Sequence, residues 1–326
     1  MQPTTRRQFL AASAATAATG AAVLTANDAK ADKPGINDIT SGEPAADATF
    51  AAPYGKPLFE ISVAQWSLNK LFWDKKLDNR DYGKFVRQAY DLDAVEWVNS
   101  FFKDKATNFA YIREMKQRCD DHGVKTLLIM VDGEGQIGHP DAAERKKTVE
   151  NHMKWVVATK LLGGHSIRVN AGSKGSYDEQ DKLAADGLHQ LTEFARGFGI
   201  NVIVENHGGL SSNGKWLAEV MGAVGLPECG TLPDFGNFNL GGGKQYDKYQ
   251  GVDELMPYAK AVSAKCFNFN NDGSHKEFDY MRMMRIVLAH GYRGYVGVEY
   301  EGKQDKTEGV RKGMELLKKC REALTA

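Results

Sequence analysis

Short apolar runs alternate along the chain with longer stretches whose apolar positions recur at helical spacing. The runs read as strands over Leu58–Trp66, Ala94–Val98, Lys125–Val131, Ser166–Asn170, Asn201–Glu205, Gly230–Leu232, Ala261–Phe267 and Gly294–Tyr300. The stretches between them read as helices over Asp81–Tyr90, Asn108–His122, Ala142–Leu162, Glu179–Phe198, Lys215–Val224, Val252–Tyr258, Glu277–His290 and Thr307–Leu324. Glycine marks several helix exits, as in His122-Gly123, Gly163-Gly164, Phe198-Gly199 and His290-Gly291. Strict alternation of strand and helix predicts an α/β chain whose parallel sheet closes on itself, a (β/α)8 TIM barrel. An open doubly wound sheet is the alternative. No G-x-G-x-x-G follows the first strand, so the dinucleotide-binding form of that fold has no support.

The N-terminus breaks the pattern. Thr5-Arg6-Arg7-Gln8-Phe9-Leu10 precedes a small-residue apolar stretch, Ala11 to Ala26, and Ala29-Lys30-Ala31 fits an A-x-A cleavage site. Residues 1–31 therefore read as a twin-arginine signal peptide, and the expected location is the periplasm or another exported compartment. The stretch is too short and too alanine-rich for a stable membrane anchor. Residues 32–57, rich in Ala, Asp, Gly and Pro, read as a flexible tether. Residues 58–326 remain for the barrel, close to the ~250 residues typical of one. Lysine plus arginine number 42 and aspartate plus glutamate 42, so no net field draws in nucleic acid or anionic lipid. Cys119, Cys229, Cys266 and Cys320 form no C-x-x-C pair, which argues against a disulfide framework and against thiolate zinc.

Three carboxylates stand out because each closes a strand-like run: Glu205 in Asn201–His207, Asp234 in Cys229–Asp234 and Glu299 in Tyr295–Tyr300. At the C-terminal rim of a barrel they would converge, and unpaired like charges repel unless a cation joins them. A hard divalent cation on Glu205, Asp234 and Glu299 is the expectation, with an oxygen-rich small molecule as its partner. Strand alternation puts His207 on the face of Glu205, Asn170 on that of Arg168, and Glu301 on that of Glu299. Substrate-binding candidates are His207, Arg168, Trp66, Glu96, Lys265, and two loop histidines, His139 and His275. Trp66, Trp97, Phe101, Phe235 and Phe238 either stack on a sugar ring or pack the barrel. Gly241-Gly242-Gly243 reads as a flexible loop after the sixth strand, without the lysine and helix of a phosphate loop.

Val204-Glu-Asn-His-Gly-Gly209, Leu232-Pro-Asp-Phe-Gly-Asn237 and Gly291-Tyr-Arg-Gly-Tyr-Val-Gly-Val-Glu299 resemble the xylose isomerase-like TIM-barrel family of sugar phosphate isomerases and epimerases. The resemblance spans about Leu58 to Leu324. It implies a divalent cation, Mn2+ or Mg2+, held by Glu, Asp, His and Glu from strands 5 to 8. Glu205, Asp234 and Glu299 match three of these positions. Ser263 stands where the family reads histidine, since its His-x-Lys-Asp is Ser263-Ala-Lys-Cys266 here. The resemblance also implies proton transfer next to a sugar carbonyl, with Glu205 and Glu299 as the acid/base pair. Export favours a free sugar, keto-sugar or glycoside over a sugar phosphate. The same first step could end in isomerisation, epimerisation or β-elimination of a 3-keto-glycoside. A non-catalytic sugar-binding barrel is the other alternative, and a homo-oligomer stays open.

Overall fold

The computed structural model describes residues 44–326. The signal-peptide reading and the start of the tether lie outside the described residues. Eight parallel strands form one sheet: β1 (Glu60–Ala64), β2 (Ala94–Val98), β3 (Lys125–Met130), β4 (Ser166–Val169), β5 (Asn201–Glu205), β6 (Cys229–Leu232), β7 (Val262–Cys266) and β8 (Tyr295–Tyr300). Hydrogen-bonded neighbours run from β6 back through β5, β4, β3, β2 and β1 to β8 and then β7. Bridges Thr231–Ala259 and Asp234–Ser263 join β6 to β7. At that seam Ser263 N–H donates to the Pro233 carbonyl at 2.9 Å, and Phe235 N–H donates to the Ser263 carbonyl at 3.1 Å. The barrel closes there, so one of the acidic residues singled out in the sequence is itself part of the closing joint.

The outer helices are α1 (Tyr82–Tyr90), α2 (Phe109–Asp121), α3 (Ala142–Leu162), α4 (Tyr177–Arg196), α5 (Gly214–Val224), α6 (Lys248–Leu255), α7 (Tyr280–Ala289) and α8 (Lys306–Leu324). Their starts are chemically marked. Asp141 accepts from the N–H groups of Ala143 and Glu144 at the head of α3, and Ser176 and Glu179 form a reciprocal capping box on α4. Between helices and strands lies an apolar shell that includes Trp97, Trp155, Trp216, Phe235 and Phe238, all fully buried. Tyr82, Trp97, Phe102 and Trp155 meet edge to face in a row. Each such contact contributes ~0.5–1.5 kcal/mol beyond its burial. A smaller cluster, with Ala64, Val98, Leu128, Met130, Ile203 and Leu232, fills the inside of the barrel.

Besides several 3-10 turns, a short helix and a hairpin were not expected from the sequence. A helical turn, Asn69–Trp73, follows β1, and an antiparallel hairpin, Asn239–Gly241 with Lys244–Gln245, follows β6. Gly241, Gly242 and Gly243 all have positive φ, which lets the hairpin turn where other residues would be strained. The end of the expected tether is docked on the barrel. Phe50 N–H donates to the Leu324 carbonyl at 2.8 Å, and Ala326 N–H donates back to the Phe50 carbonyl at 3.0 Å. Among the described residues no helix is long and apolar enough to cross a membrane.

Candidate active site

The inward faces of β5, β7 and β8 each bring a charged side chain to the C-terminal end of the strand. On β5 the face holds Ile203 then Glu205; on β8, Gly297 then Glu299; on β7, Ser263 then Lys265. Glu205, Asp234 and Glu299 are all buried, and each offers one oxygen within 4.8 Å of the others. The sequence-predicted carboxylates thus converge at the mouth of the barrel.

They do not converge alone. Lys265 Nζ lies 2.9 Å from Glu299 Oε1, 3.1 Å from Glu301 Oε1 and 3.7 Å from Asp234 Oδ2. Arg168 lies 2.7 Å from Asp132 through Nη1 and 2.8 Å from Glu205 Oε2 through Nε. Both cations are buried. Burial alone would pull the Lys265 ammonium down. Asp234 and Glu299 outweigh it and hold the group well above its ordinary value. Burial likewise opposes the charge on Arg168, and Glu205 and Asp132 overcome it.

Ser263 Oγ is 2.8 Å from both Asp234 Oδ2 and Glu299 Oε2. One hydroxyl has one proton to donate, so the second contact needs a proton on a carboxyl group. Burial pushes Asp234 up to about 8, against the pull of Lys265. Burial pushes Glu299 the same way, but Lys265 and Ser263 outweigh it and hold that carboxyl below its usual range. Burial thus pushes Asp234 toward holding that proton and Lys265 pushes Glu299 toward its ionised form, and a cation on Asp234 would displace the proton.

Asp234 Oδ1 accepts from the Gly236 and Asn237 N–H groups, each at 2.8 Å, and two side-chain amides hold the Asp234 backbone and one Glu205 oxygen. Asn206 accepts from the Asp234 N–H at 2.7 Å and donates to the Asp234 carbonyl at 2.9 Å, tying the end of β5 to the turn after β6. Asn237 Nδ2 donates to Glu205 Oε1 at 2.8 Å. Sequence reasoning missed both roles, although both asparagines stand inside motifs it had quoted. Their function depends on a neighbouring strand, which periodicity does not reveal.

The other predicted residues divide. Trp66 is at the mouth, its Nε1–H donating to Glu301 Oε1 at 2.7 Å. Glu96 is inside the barrel, where its Oε1 accepts from Ser62 at 2.6 Å. Burial raises its carboxyl to about 7. A Cβ on Gly297 would fall 2.3 Å from Glu96 Oε1, so the glycine leaves the space this carboxyl fills. His207 is exposed beyond β5. His139 is tied to the start of α3, where its Nδ1 accepts from the Asp141 N–H at 3.1 Å. His275 points into Phe269, Phe278 and Tyr280, and its Nε2 accepts from the Phe267 N–H at 3.1 Å. Burial lowers its pKa to about 4 and keeps it neutral. The structure thus groups Glu205, Asp234, Glu299, Arg168 and Lys265, with Trp66 and Glu96 at their edge, and leaves His139 and His275 packed elsewhere.

The donor set suits a hard cation. Glu205 Oε2 is buried without an aligned hydrogen bond, because the Arg168 Nε–H stands close but does not point at it. A carboxylate oxygen with a free lone pair, beside two more carboxylates and a hydroxyl, is an all-oxygen cluster of the kind hard divalent ions take.

The sequence matches the family described as xylose isomerase-like TIM barrel over residues 86–320. The chain belongs to that family. No curated protein matches it significantly. Among solved structures, it is similar to a xylose isomerase-like TIM-barrel protein from Mycobacterium smegmatis in complex with magnesium, at 16% identity and TM-score 0.63, covering 85% of this chain and 100% of that one. It is also similar to D-psicose 3-epimerase with D-tagatose from Clostridium cellulolyticum H10, at 12% identity and TM-score 0.62, over 82% and 100% of the two chains. A third is 3-keto-D-glucoside 4-epimerase from E. coli, at 18% identity and TM-score 0.56, over 74% and 95%. At these identities the likeness is one of fold.

Proposed function

We propose that this xylose isomerase-like barrel is a divalent-metal-dependent sugar isomerase or epimerase that moves a proton on the carbon beside a carbonyl. One observation carries the reading: Glu205 and Glu299, on strands separated by β6 and β7, meet with Asp234 in a buried cluster whose oxygens lie within 4.8 Å. Two carboxylates approaching from different strands can address a bound carbon from two sides. The epimerases among the structural neighbours support the same class of reaction.

Glu205, Asp234 and Glu299 would hold the cation, with Ser263 beside them. When bound, it would polarise the substrate carbonyl and acidify the adjacent C–H bond. Glu299, kept ionised by Lys265, is suited to accept a proton. Glu205, oriented by Asn237 and Arg168, faces it as the second acid/base group. The Lys265 ammonium and the Arg168 guanidinium are placed to meet negative charge that develops on substrate oxygen as the proton leaves. Asp132 and Glu301 offset these two cations, so the mouth offers no surplus positive charge to a phosphate ester, which favours a neutral sugar or keto-sugar.

The test is turnover of free keto-sugars in deuterated water. Deuterium should appear next to the carbonyl, and chelator should abolish it. Glu205→Gln and Glu299→Gln should each lower kcat by about 10²–10⁴-fold or more. Turnover that shows neither solvent deuterium nor a substrate deuterium isotope effect would rule out proton abstraction.

A further inference from the structure

The buried cluster does not end at its own edge. Glu299 contacts Lys265 at 2.9 Å, Lys265 contacts Glu301 at 3.1 Å, and Glu301 accepts from the Trp66 indole at 2.7 Å. Trp66 then meets Trp73 with ring centroids 5.4 Å apart and planes at 89°, and Phe101 completes the group at 6.1 Å from Trp66 and 6.0 Å from Trp73. Contacts therefore lead from a reacting carboxylate to an aromatic surface at the mouth of the barrel. Trp66 and Phe101 are half-buried against the interior cluster, while Trp73 is 59% exposed.

That exposure needs an explanation. The other large exposed hydrophobics among the described residues are Tyr54, in the N-terminal segment, and Tyr177, whose hydroxyl is tied to Glu219 on α5. Of the three, Trp73 is the one joined to the carboxylate cluster by that run of contacts. It exposes 59% of its surface, on the order of 150 Å² of mostly apolar indole. A stable protein interface needs ~800 Å² per partner, so this surface by itself is too small for a second copy. It is comparable to the C–H face of one pyranose or aryl ring. Glu301, with its side chain 33% exposed and both its protein contacts on Oε1, stands between that surface and the cluster as an acceptor for hydroxyl groups.

We propose that the substrate is a glycoside: its keto-sugar ring sits on Glu205 and Glu299, and the second ring at its glycosidic oxygen stacks on Trp73, with Trp66 and Phe101 as backing. This rests on the reaction proposed above and adds the substrate class.

The experiment has a binding arm and a turnover arm, both on the full-length protein. In the first, D-glucose, cellobiose, maltose and the phenyl α- and β-D-glucosides are titrated by calorimetry, which needs no chemistry to occur. At least one two-ring probe should bind more tightly than glucose. Trp73→Ala should remove that advantage, by about tenfold, the factor expected from losing roughly 60 Å² of apolar contact. Trp73→Phe should keep part of it. In the second arm, kcat/KM for a phenyl 3-keto-glucoside should fall by a similar factor in Trp73→Ala while that for free 3-keto-glucose stays unchanged. Equal loss on both substrates, no two-ring advantage in the wild type, or a changed sedimentation mass in Trp73→Ala would each overturn the proposal. A two-ring advantage that depends on Trp73 without any turnover would uphold the subsite and refute the reaction.

Discussion

At the scale of single residues, the barrel interior holds a carboxyl group that the proposed reaction does not use. Glu96 loses its proton near pH 4.5 in an unfolded chain, but burial keeps the proton on it to about 7 in the barrel, against the hydrogen bond from Ser62. Between these values the folded state binds more protons than the unfolded one. The stability that Glu96 contributes is therefore complete below pH 4.5 and is lost as pH rises through 7. The total is on the order of 3 kcal/mol. Glu96→Gln keeps the shape and the hydrogen bond while removing the titration. Urea unfolding of both proteins at pH 5 and pH 8 should show the variant gaining on the wild type as pH rises. A stability difference that is the same at both pH values would mean that Glu96 is not held protonated. The gap at Gly297 makes this carboxyl possible, since any side chain there would meet it.

At the scale of elements, close approach decides where substitutions are tolerated. On α4, a Cβ at Gly187 would lie 1.9 Å from the Ile137 carbonyl oxygen, which is backbone and cannot swing aside. Gly187→Ala should therefore force α4 away from the chain that follows β3, at a cost of ~1–3 kcal/mol. On α5, a Cβ at Gly222 would find its nearest neighbour, the Tyr258 hydroxyl, at 3.8 Å. Gly222→Ala should be neutral or stabilise by up to ~1 kcal/mol through helix propensity. Thermal melts of the two variants should move apart, and a shared response would show that α4 does not pack as described. Neither glycine can be told from the other in the sequence, because each is a glycine inside a helical pattern. The strands and helices themselves were legible, since a buried parallel strand needs an apolar run and an outer helix needs one apolar face. Glu205, Asp234 and Glu299 were legible for the same reason: an acidic residue ending an apolar run is conspicuous. The Asn206 and Asn237 anchors, the Ser62–Glu96 pair and the joint between Asp234 and Ser263 depend on contacts between strands. The directions of the loops that carry His139 and His275 were not fixed by any strand period.

At the scale of the whole molecule, the site and the closure of the barrel are one construction. β6 and β7 are joined by bridges rather than by a full ladder, and the bridge nearest the mouth pairs Asp234 with Ser263. The proposed cation ligands come from β5, the turn after β6, and β8, so they lie on both sides of this seam. A bound ion would hold the seam together in the folded state and would have no such site in the unfolded chain. Binding then stabilises the entire barrel by mass action, ~2.7 kcal/mol at a hundredfold excess over Kd, which for a domain of this size raises Tm by roughly 5 °C. Melts with Mg2+, Mn2+ and chelator should show this rise, and Asp234→Asn should lose it while remaining folded. Ser263→His would put a nitrogen donor into an oxygen cluster, and its melts should respond more strongly to Zn2+ than those of the wild type. If the wild type melts at the same temperature with saturating metal as with chelator, the carboxylates do not hold a cation. Arg168 and Lys265 would then be the counter-charges that let three acidic groups share the mouth of the barrel.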